Sequence, residues 1–185
     1  LKTGVFETWR KRFPWLLLLM ISATFTGQII LSFENQLAAC AVLTAFIPML
    51  MDTGGNAGGQ SSVTIIRGLS LHEIEYKDVL TTIWKELRVA LLCGVSLACA
   101  NFLKMLVVDQ WILHNDGVTP MVAFVVCLTM IVTICVAKVI GCTLPIAAKR
   151  IGFDPAVMAS PFITTIVDAL SLLTYFQIAK LLLPI

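Results

Sequence analysis

The chain has 185 residues, of which 58% are hydrophobic and 13% are charged, and its formal net charge is +2. Its mean hydropathy of +0.93 leaves too little polar surface to cover a soluble globule. The composition therefore predicts an integral membrane protein whose surroundings are the lipid bilayer, with no nucleic-acid partner.

Five helical spans are predicted, because a helix needs roughly 20 apolar residues to cross the hydrocarbon core of a bilayer. The sequence has no strand-length alternation of the outer-membrane type, so the predicted fold class is an all-α membrane protein. In chain order the predicted spans cover about residues 13–33, 36–67, 87–108, 118–148 and 155–183.

The Lys and Arg residues beside these spans are distributed unevenly. Ten lie next to one set of span ends, and two, Lys104 and Lys180, lie next to the other. The positive-inside rule then predicts a multi-pass protein of the cell membrane with a cytoplasmic N-terminus and an extracellular C-terminus. Lys138 falls inside span four. We interpret it as a lysine that extends toward the cytoplasmic headgroups, and the alternative is an intramembrane partner for an acid.

Before span three, apolar residues recur at helical spacing among charged ones. Tyr76, Leu80, Ile83 and Leu87 follow this spacing, and Glu86 is among the charged residues between them. The pattern predicts an amphipathic helix on the cytoplasmic surface, and a solvated loop is the alternative.

Span two contains a polar run, DTGGNAGGQ, from Asp52 to Gln60. If the helix continues through it, side-chain oxygens repeat every four residues along one face. The paired glycines then form two ridges without side chains, where another backbone can approach closely. The alternative is that the run is a packing seam between helices. The oxygen-bearing face is Asp52, Asn56, Gln60 and Thr64, and the ridges are Gly54 with Gly58 and Gly55 with Gly59.

Span five carries a second deep acid, Asp168, and a mouth acid, Asp154. Pro161 lies two turns before Asp168, where it can release a backbone carbonyl. Asp52 and Asp168 are expected at comparable depth, and a cation that passes through the membrane is the simplest partner for such acids. Thr164, Asp168, Ser171 and Tyr175 form a polar stripe at helical spacing.

Three motifs together resemble the transmembrane domain of the MgtE family of magnesium channels and transporters. They are PMLMDTGGNAGGQSS at 48–62, IRGLSLHEI at 66–74 and LPIAAKRIGFDPAVMASPFITTIVDALSLLTYF at 144–176. The resemblance implies a homodimer with a Mg²⁺ pore at the subunit interface, lined chiefly by spans two and five. It also implies that residues 1–12 are the tail of a cytoplasmic connecting helix and that cytosolic regulatory domains are absent.

The resemblance also assigns residues. It places the pore acid on Asp168 and the cytoplasmic-entrance acid on Asp154, while Ser160 stands where some relatives have Asn. From the helical spacing and the resemblance together, the predicted metal-binding set is Asp168, Asp154, Asp52, Asn56, Thr164 and Thr165. The predicted pore or packing set is Gly54, Gly55, Gly58, Gly59, Gln60, Ser160, Pro161 and Ser171.

These residue types suit magnesium. Mg²⁺ demands near-octahedral oxygen ligands and loses water reluctantly, so few carboxylates can hold it through its waters, and Mn²⁺ or Co²⁺ could substitute. The function that the resemblance implies, and that these residue types suit, is a Mg²⁺ channel that passes the hydrated ion into the cytoplasm, not an enzyme. A gradient-coupled Mg²⁺/Mn²⁺ transporter or exchanger is the alternative, and an intramembrane aspartyl protease is a remote one, since its GxGD signature is missing.

Overall fold

The structure, a computed structural model, describes residues 4–152 and 155–184. Within these residues every regular element is helical, which confirms the predicted all-α class. A 3₁₀ turn, Tyr76–Asp78, precedes the fourth helix, and a π-helical segment, Met105–Ile112, extends it. The α-helices are α1 (Val5–Ser32), α2 (Glu34–Ala39), α3 (Leu43–Ser70), α4 (Val79–Lys104), α5 (Pro120–Arg150) and α6 (Pro155–Leu182).

Side chains form hydrogen bonds at two helix ends, one within the same helix and one from a neighbouring helix. The Thr119 hydroxyl accepts a hydrogen bond from the Val122 backbone N–H at 3.3 Å, and Pro120 follows as the first helical residue, so α5 has a well-formed start. At the end of α3, the Lys149 ammonium donates to the Leu69 carbonyl oxygen at 2.9 Å. The end of α5 is thereby tied to the end of α3.

In the described part of the chain, four helices are long and apolar enough to cross a membrane. They are α1, α4 with its π-helical extension, α5, and the part of α6 from Phe162 to Leu182. The prediction of five spans is therefore confirmed for four. The helix that falls short is α3, because its polar run lowers its hydropathy and not because of its length. Its 28 residues extend about 42 Å at 1.5 Å per residue.

The starts of α3 and α4 differ from the predicted starts of spans two and three. Span two was predicted from residue 36, but the short helix α2 ends at Ala39 and α3 begins only at Leu43. Span three was predicted from residue 87, but α4 begins at Val79, so the predicted surface helix is the start of α4. The physical reason is that one side of this segment is not surface at all, since Ile83 packs on a buried cluster that includes Ile65.

The contacts between helices establish their relative directions. The helices α3 and α5 run the same way, and α1, α4 and α6 run the opposite way. Two helix pairs are parallel: α3 and α5 are in contact at Gly54 with Thr133 and at Leu69 with Lys149, and α1 and α6 at Trp15 with Phe162 and at Phe33 with Phe176. Two pairs are antiparallel: α3 and α6 are in contact at Leu43 with Tyr175 and at Gly58 with Ile163, and α4 and α5 at Glu86 with Lys138 and at Ala98 with Cys127.

The core lies around α5, which packs against α3, α4 and α6. Between α3 and α5 the backbones are in direct contact. A Cβ atom at Gly141 would overlap the carbonyl oxygen of Gly58, and one at Gly58 would lie 3.0 Å from the carbonyl oxygen of Ala137. Glycine is required at this crossing because any side chain would push the two helices apart.

Candidate functional site

An open groove with a volume of about 900 Å³ lies between α3 and α6. Most of its lining residues carry side-chain oxygen atoms, and two are glycines. The lining residues are Met51, Asp52, Gly55, Asn56, Gly59, Gln60, Val63, Thr64, Thr164 and Asp168.

The α3 wall of the groove is a row of oxygen-bearing side chains. Asp52, Asn56 and Gln60 are all exposed to the groove, because residues four apart lie one above another on a helix. Thr64 continues the row, and its hydroxyl donates to the Gln60 carbonyl oxygen at 3.0 Å. This wall therefore offers one carboxylate, two carboxamides and one hydroxyl along about three turns of the helix.

The α6 wall contributes Thr164, which is exposed, and Asp168, which is half-buried. Asp168 on α6 and Asp52 on α3 line the same groove. At Gly55 the helices come close together, since a Cβ atom there would lie 3.6 Å from Cγ2 of Thr164. Two acids from different helices thus share one groove across a glycine floor.

Several residues of the predicted site lie elsewhere. Thr165 is turned toward α1, where its hydroxyl oxygen is 3.5 Å from that of Ser22. Ser171 is buried, and its hydroxyl donates to the Val167 carbonyl oxygen at 2.6 Å. Gly54 and Gly58 are buried against α5 and α6, while Gly55 and Gly59 line the groove.

The predicted polar stripe of α6 is therefore open at one end and covered at the other. Thr164 and Asp168 face the groove, but Ser171 lies against Gly54. Tyr175 is fully buried and donates from its hydroxyl to the Leu43 carbonyl oxygen at 3.0 Å. The reason is that the first turns of α3 pack over this part of α6, so the stripe changes from groove wall to core.

Three residues of the predicted site cannot be located in this way. Asp154 lies outside the described residues, and so do the side chains of Ser160 and Pro161.

The ligand chemistry of the groove is that of a hydrated cation. Across residues 4–152 and 155–184, no group of three or more His, Cys, Asp or Glu side chains is placed to hold a metal ion. The groove instead combines two carboxylates with neutral carboxamide and hydroxyl oxygens. Such a set suits a small divalent cation that keeps several of its waters, because those waters can donate to the oxygens.

Two lining residues were missed by the sequence analysis, Met51 and Val63. Each lies four residues from a glycine of the groove, Gly55 and Gly59, so the helical spacing contained the signal. Because they are apolar, they were not distinguished from lipid-facing residues.

The interpretation of Lys138 as a lysine that extends to the headgroups was wrong. Its side chain is buried, and its ammonium lies 3.1 Å from a carboxylate oxygen of Glu86. The part of the alternative that gave Lys138 an acid as its partner is confirmed. The partner was missed because Glu86 was assigned to a surface helix, whereas it lies two turns inside α4.

Comparison with known proteins gives one family and several relatives. Residues 47–178 match the family model MgtE, described as a divalent cation transporter. The magnesium transporter MgtE of Thermus thermophilus is 34% identical over 98% of this chain, and that of Bacillus subtilis is 36% identical over 91%. That of Enterococcus faecalis is 34% identical over 92% of the chain. The chain spans 36% to 38% of the length of these relatives.

Proposed function

The chain belongs to the MgtE family of divalent cation transporters, and we propose that it conducts hydrated Mg²⁺ into the cytoplasm as the channel domain of such a transporter. The family match and the three relatives confirm the resemblance found in the sequence motifs. These relatives are transporters and not enzymes, so the protease alternative is set aside. The observation that carries the proposal is the groove that Asp52 of α3, Asp168 of α6 and Gly55 line together.

In this proposal α3 is the fifth span, at the position predicted for span two. Its length of about 42 Å exceeds the roughly 30 Å thickness of the hydrocarbon core. Its buried side packs on α5 and α6, and its polar side forms the groove. The alternating directions of α1, α3, α4, α5 and α6 support this, since they are those of a chain that crosses a membrane five times. A helix with a polar face is tolerated at membrane depth where that face lines a wet cavity.

The orientation of the chain in the membrane follows from the alternating directions of these helices and from where the Arg residues lie. Arg67 at the end of α3, Arg88 near the start of α4 and Arg150 at the end of α5 all lie toward one end of the bundle. The positive-inside rule makes that end cytoplasmic. The N-terminus is then inside the cell and the C-terminus outside.

A second copy of the chain completes the pore. The groove is open along one side, and a polar groove that faced lipid would be costly to keep in a bilayer. A two-fold axis along the groove brings together two copies of each wall, because such an interface uses the same surface on both subunits. The pore then contains a pair of Asp168 carboxylates, and Asn56, Thr164 and Asp52 add oxygens around the waters of the ion.

Transport through this pore needs no coupled ion, so we expect Mg²⁺ flux into liposomes at zero proton and sodium gradients. The protein is reconstituted with equal pH and equal sodium on both sides, and a magnesium-sensitive dye inside the vesicles reports entry. The initial rate is expected to rise with the Mg²⁺ gradient alone. Flux that requires an imposed proton or sodium gradient would instead identify the coupled exchanger. Vesicles without protein are the control.

Ion selection should follow the hydrated radius and charge density of the ion, because the carboxylates contact it mainly through water. Mn²⁺ and Co²⁺ are expected to compete with Mg²⁺ in the same liposome assay, since their radii are close to that of Mg²⁺. Ca²⁺ is expected to compete poorly, because its larger and looser coordination does not match a site sized for Mg²⁺. Competition by Ca²⁺ that equals or exceeds that of Mn²⁺ would contradict selection of a hydrated ion.

A further inference from the structure

Three helices meet at a buried polar cluster beside the groove, which we call the triad: Ser61 on α3, Glu86 on α4 and Lys138 on α5. The Ser61 hydroxyl donates to the Glu86 carboxylate at 2.7 Å, and the Lys138 ammonium donates to the same carboxylate oxygen at 3.1 Å. The ammonium also donates to the Ser61 hydroxyl oxygen at 3.1 Å. Ser61 is 1% exposed and Lys138 is 6% exposed, while the Glu86 side chain is 15% exposed, so water has limited access to these bonds.

A contribution to the stability of the fold does not by itself explain the triad. A buried ion pair gains little over an apolar pair of similar volume, because both charges lose their hydration. Buried ionic groups are better suited to select one arrangement of helices, since a misplaced partner leaves a charge uncompensated. The question is therefore which arrangement the triad selects.

The location of the triad indicates that it selects the arrangement of α3 beside the groove. Ser61 directly follows Gln60, which lines the groove. One turn earlier, α3 contacts α5 through the backbones of Gly58 and Gly141. Two glycines permit a close approach, but they present no side chain that resists rotation of one helix against the other. Directional hydrogen bonds to Ser61 supply that resistance, because they are satisfied at one rotation of α3.

We propose that Glu86 and Lys138 are positioning residues that act through Ser61 and hold α3 at the rotation that turns Asn56 and Gln60 into the groove. Their role in ion passage rests on the proposed function, but the rotation itself can be measured without Mg²⁺. The Glu86 carboxylate also neutralises the Lys138 ammonium, which would otherwise repel a cation in the adjacent groove.

The test measures the rotation by disulfide formation across the groove. A Cβ atom at Gly55 would lie 3.6 Å from Cγ2 of Thr164, which is one bond beyond the Thr164 Cβ atom. A Gly55→Cys, Thr164→Cys pair is therefore close to the geometry of a disulfide, in which the two Cβ atoms are about 3.5–4.5 Å apart. The rate of oxidation in lipid is followed by mass spectrometry of the peptide that joins the two positions. This readout ignores the six native cysteines.

Into this background we introduce Ser61→Ala, which removes the bond to α3 but keeps the pair between Glu86 and Lys138, so the fold is spared an unpaired buried charge. We expect crosslinking to slow about tenfold, a moderate coupling for groups of one hydrogen-bonded network. The matched control is Ser62→Ala. Ser62 is a neighbouring buried serine whose hydroxyl oxygen has no hydrogen-bond partner within the described residues, so its loss should leave the rate unchanged.

A Ser61→Ala variant that crosslinks at the unmodified rate would overturn the positioning role. A rate that falls equally with Ser62→Ala would also overturn it, because general loosening would then explain the change. Magnesium flux through the same variants, measured without the two introduced cysteines, tests the other proposal separately. Slowed crosslinking with undiminished flux would support positioning by the triad and contradict the groove as the cation path.

Discussion

Replacement of Asp168 by asparagine is expected to weaken Mg²⁺ binding by about 100-fold, the upper part of the range for a hydrogen bond to a charged group. The substitution keeps the shape of the side chain and removes its charge, and in a two-fold pore it does so twice. The waters of the ion then donate to two neutral carboxamides in place of two carboxylates. Isothermal titration calorimetry on the protein in detergent gives the binding constant, and flux into liposomes gives the transport rate.

The fold should survive this substitution, because Asp168 is half-buried at an open groove and asparagine keeps the shape of its side chain. Wild type and variant are both expected to elute as dimers in size-exclusion chromatography with light scattering. Glu34→Gln is the matched control, since it removes one charge from an exposed residue of α2 outside the groove. Unchanged Mg²⁺ binding in the Asp168→Asn variant would contradict the assignment of this carboxylate to the pore.

The sequence predicted the site best where the spacing of residues along a single helix determines which face they share. The four-residue spacing of Asp52, Asn56 and Gln60 placed them on one face of a helix, and all three line the groove. The same rule could not show which part of the α6 stripe is open, because that depends on where α3 packs over α6. Thr164 and Ser171 share a face of α6, yet one is exposed and the other buried.

The ion pair between Glu86 and Lys138 could not be predicted from the sequence, for a different reason. Glu86 and Lys138 are 52 residues apart, and each has other charged residues nearer in the chain. Their pairing depends on the antiparallel packing of α4 on α5 and on the start of α4 at Val79. The break between α2 and α3 was missed similarly, since the residues around Cys40 are apolar and have no glycine or proline to mark a helix end.

Gly141→Ala is expected to lower the stability of the bundle more than a single methyl group normally does. Alanine improves helix propensity by about 0.8–1.0 kcal/mol over glycine. Against this, overpacking costs about 1–3 kcal/mol, and the upper end applies because the added Cβ would meet the backbone of Gly58, which has no rotamer to change. The net loss of about 2 kcal/mol corresponds to a fall of about 4–8 °C in the apparent Tm of a chain of this size.

The control for this prediction is Gly27→Ala. Gly27 lies inside α1, and a Cβ atom there would have no other atom within 4 Å, so the propensity gain acts without overlap. Its Tm should be unchanged or slightly raised in the same detergent scan. If Gly141→Ala behaved like Gly27→Ala, α3 and α5 would not be in backbone contact. Displacement of α3 should also reduce Mg²⁺ flux, because this contact and the triad position the helix that carries Asp52, Asn56 and Gln60.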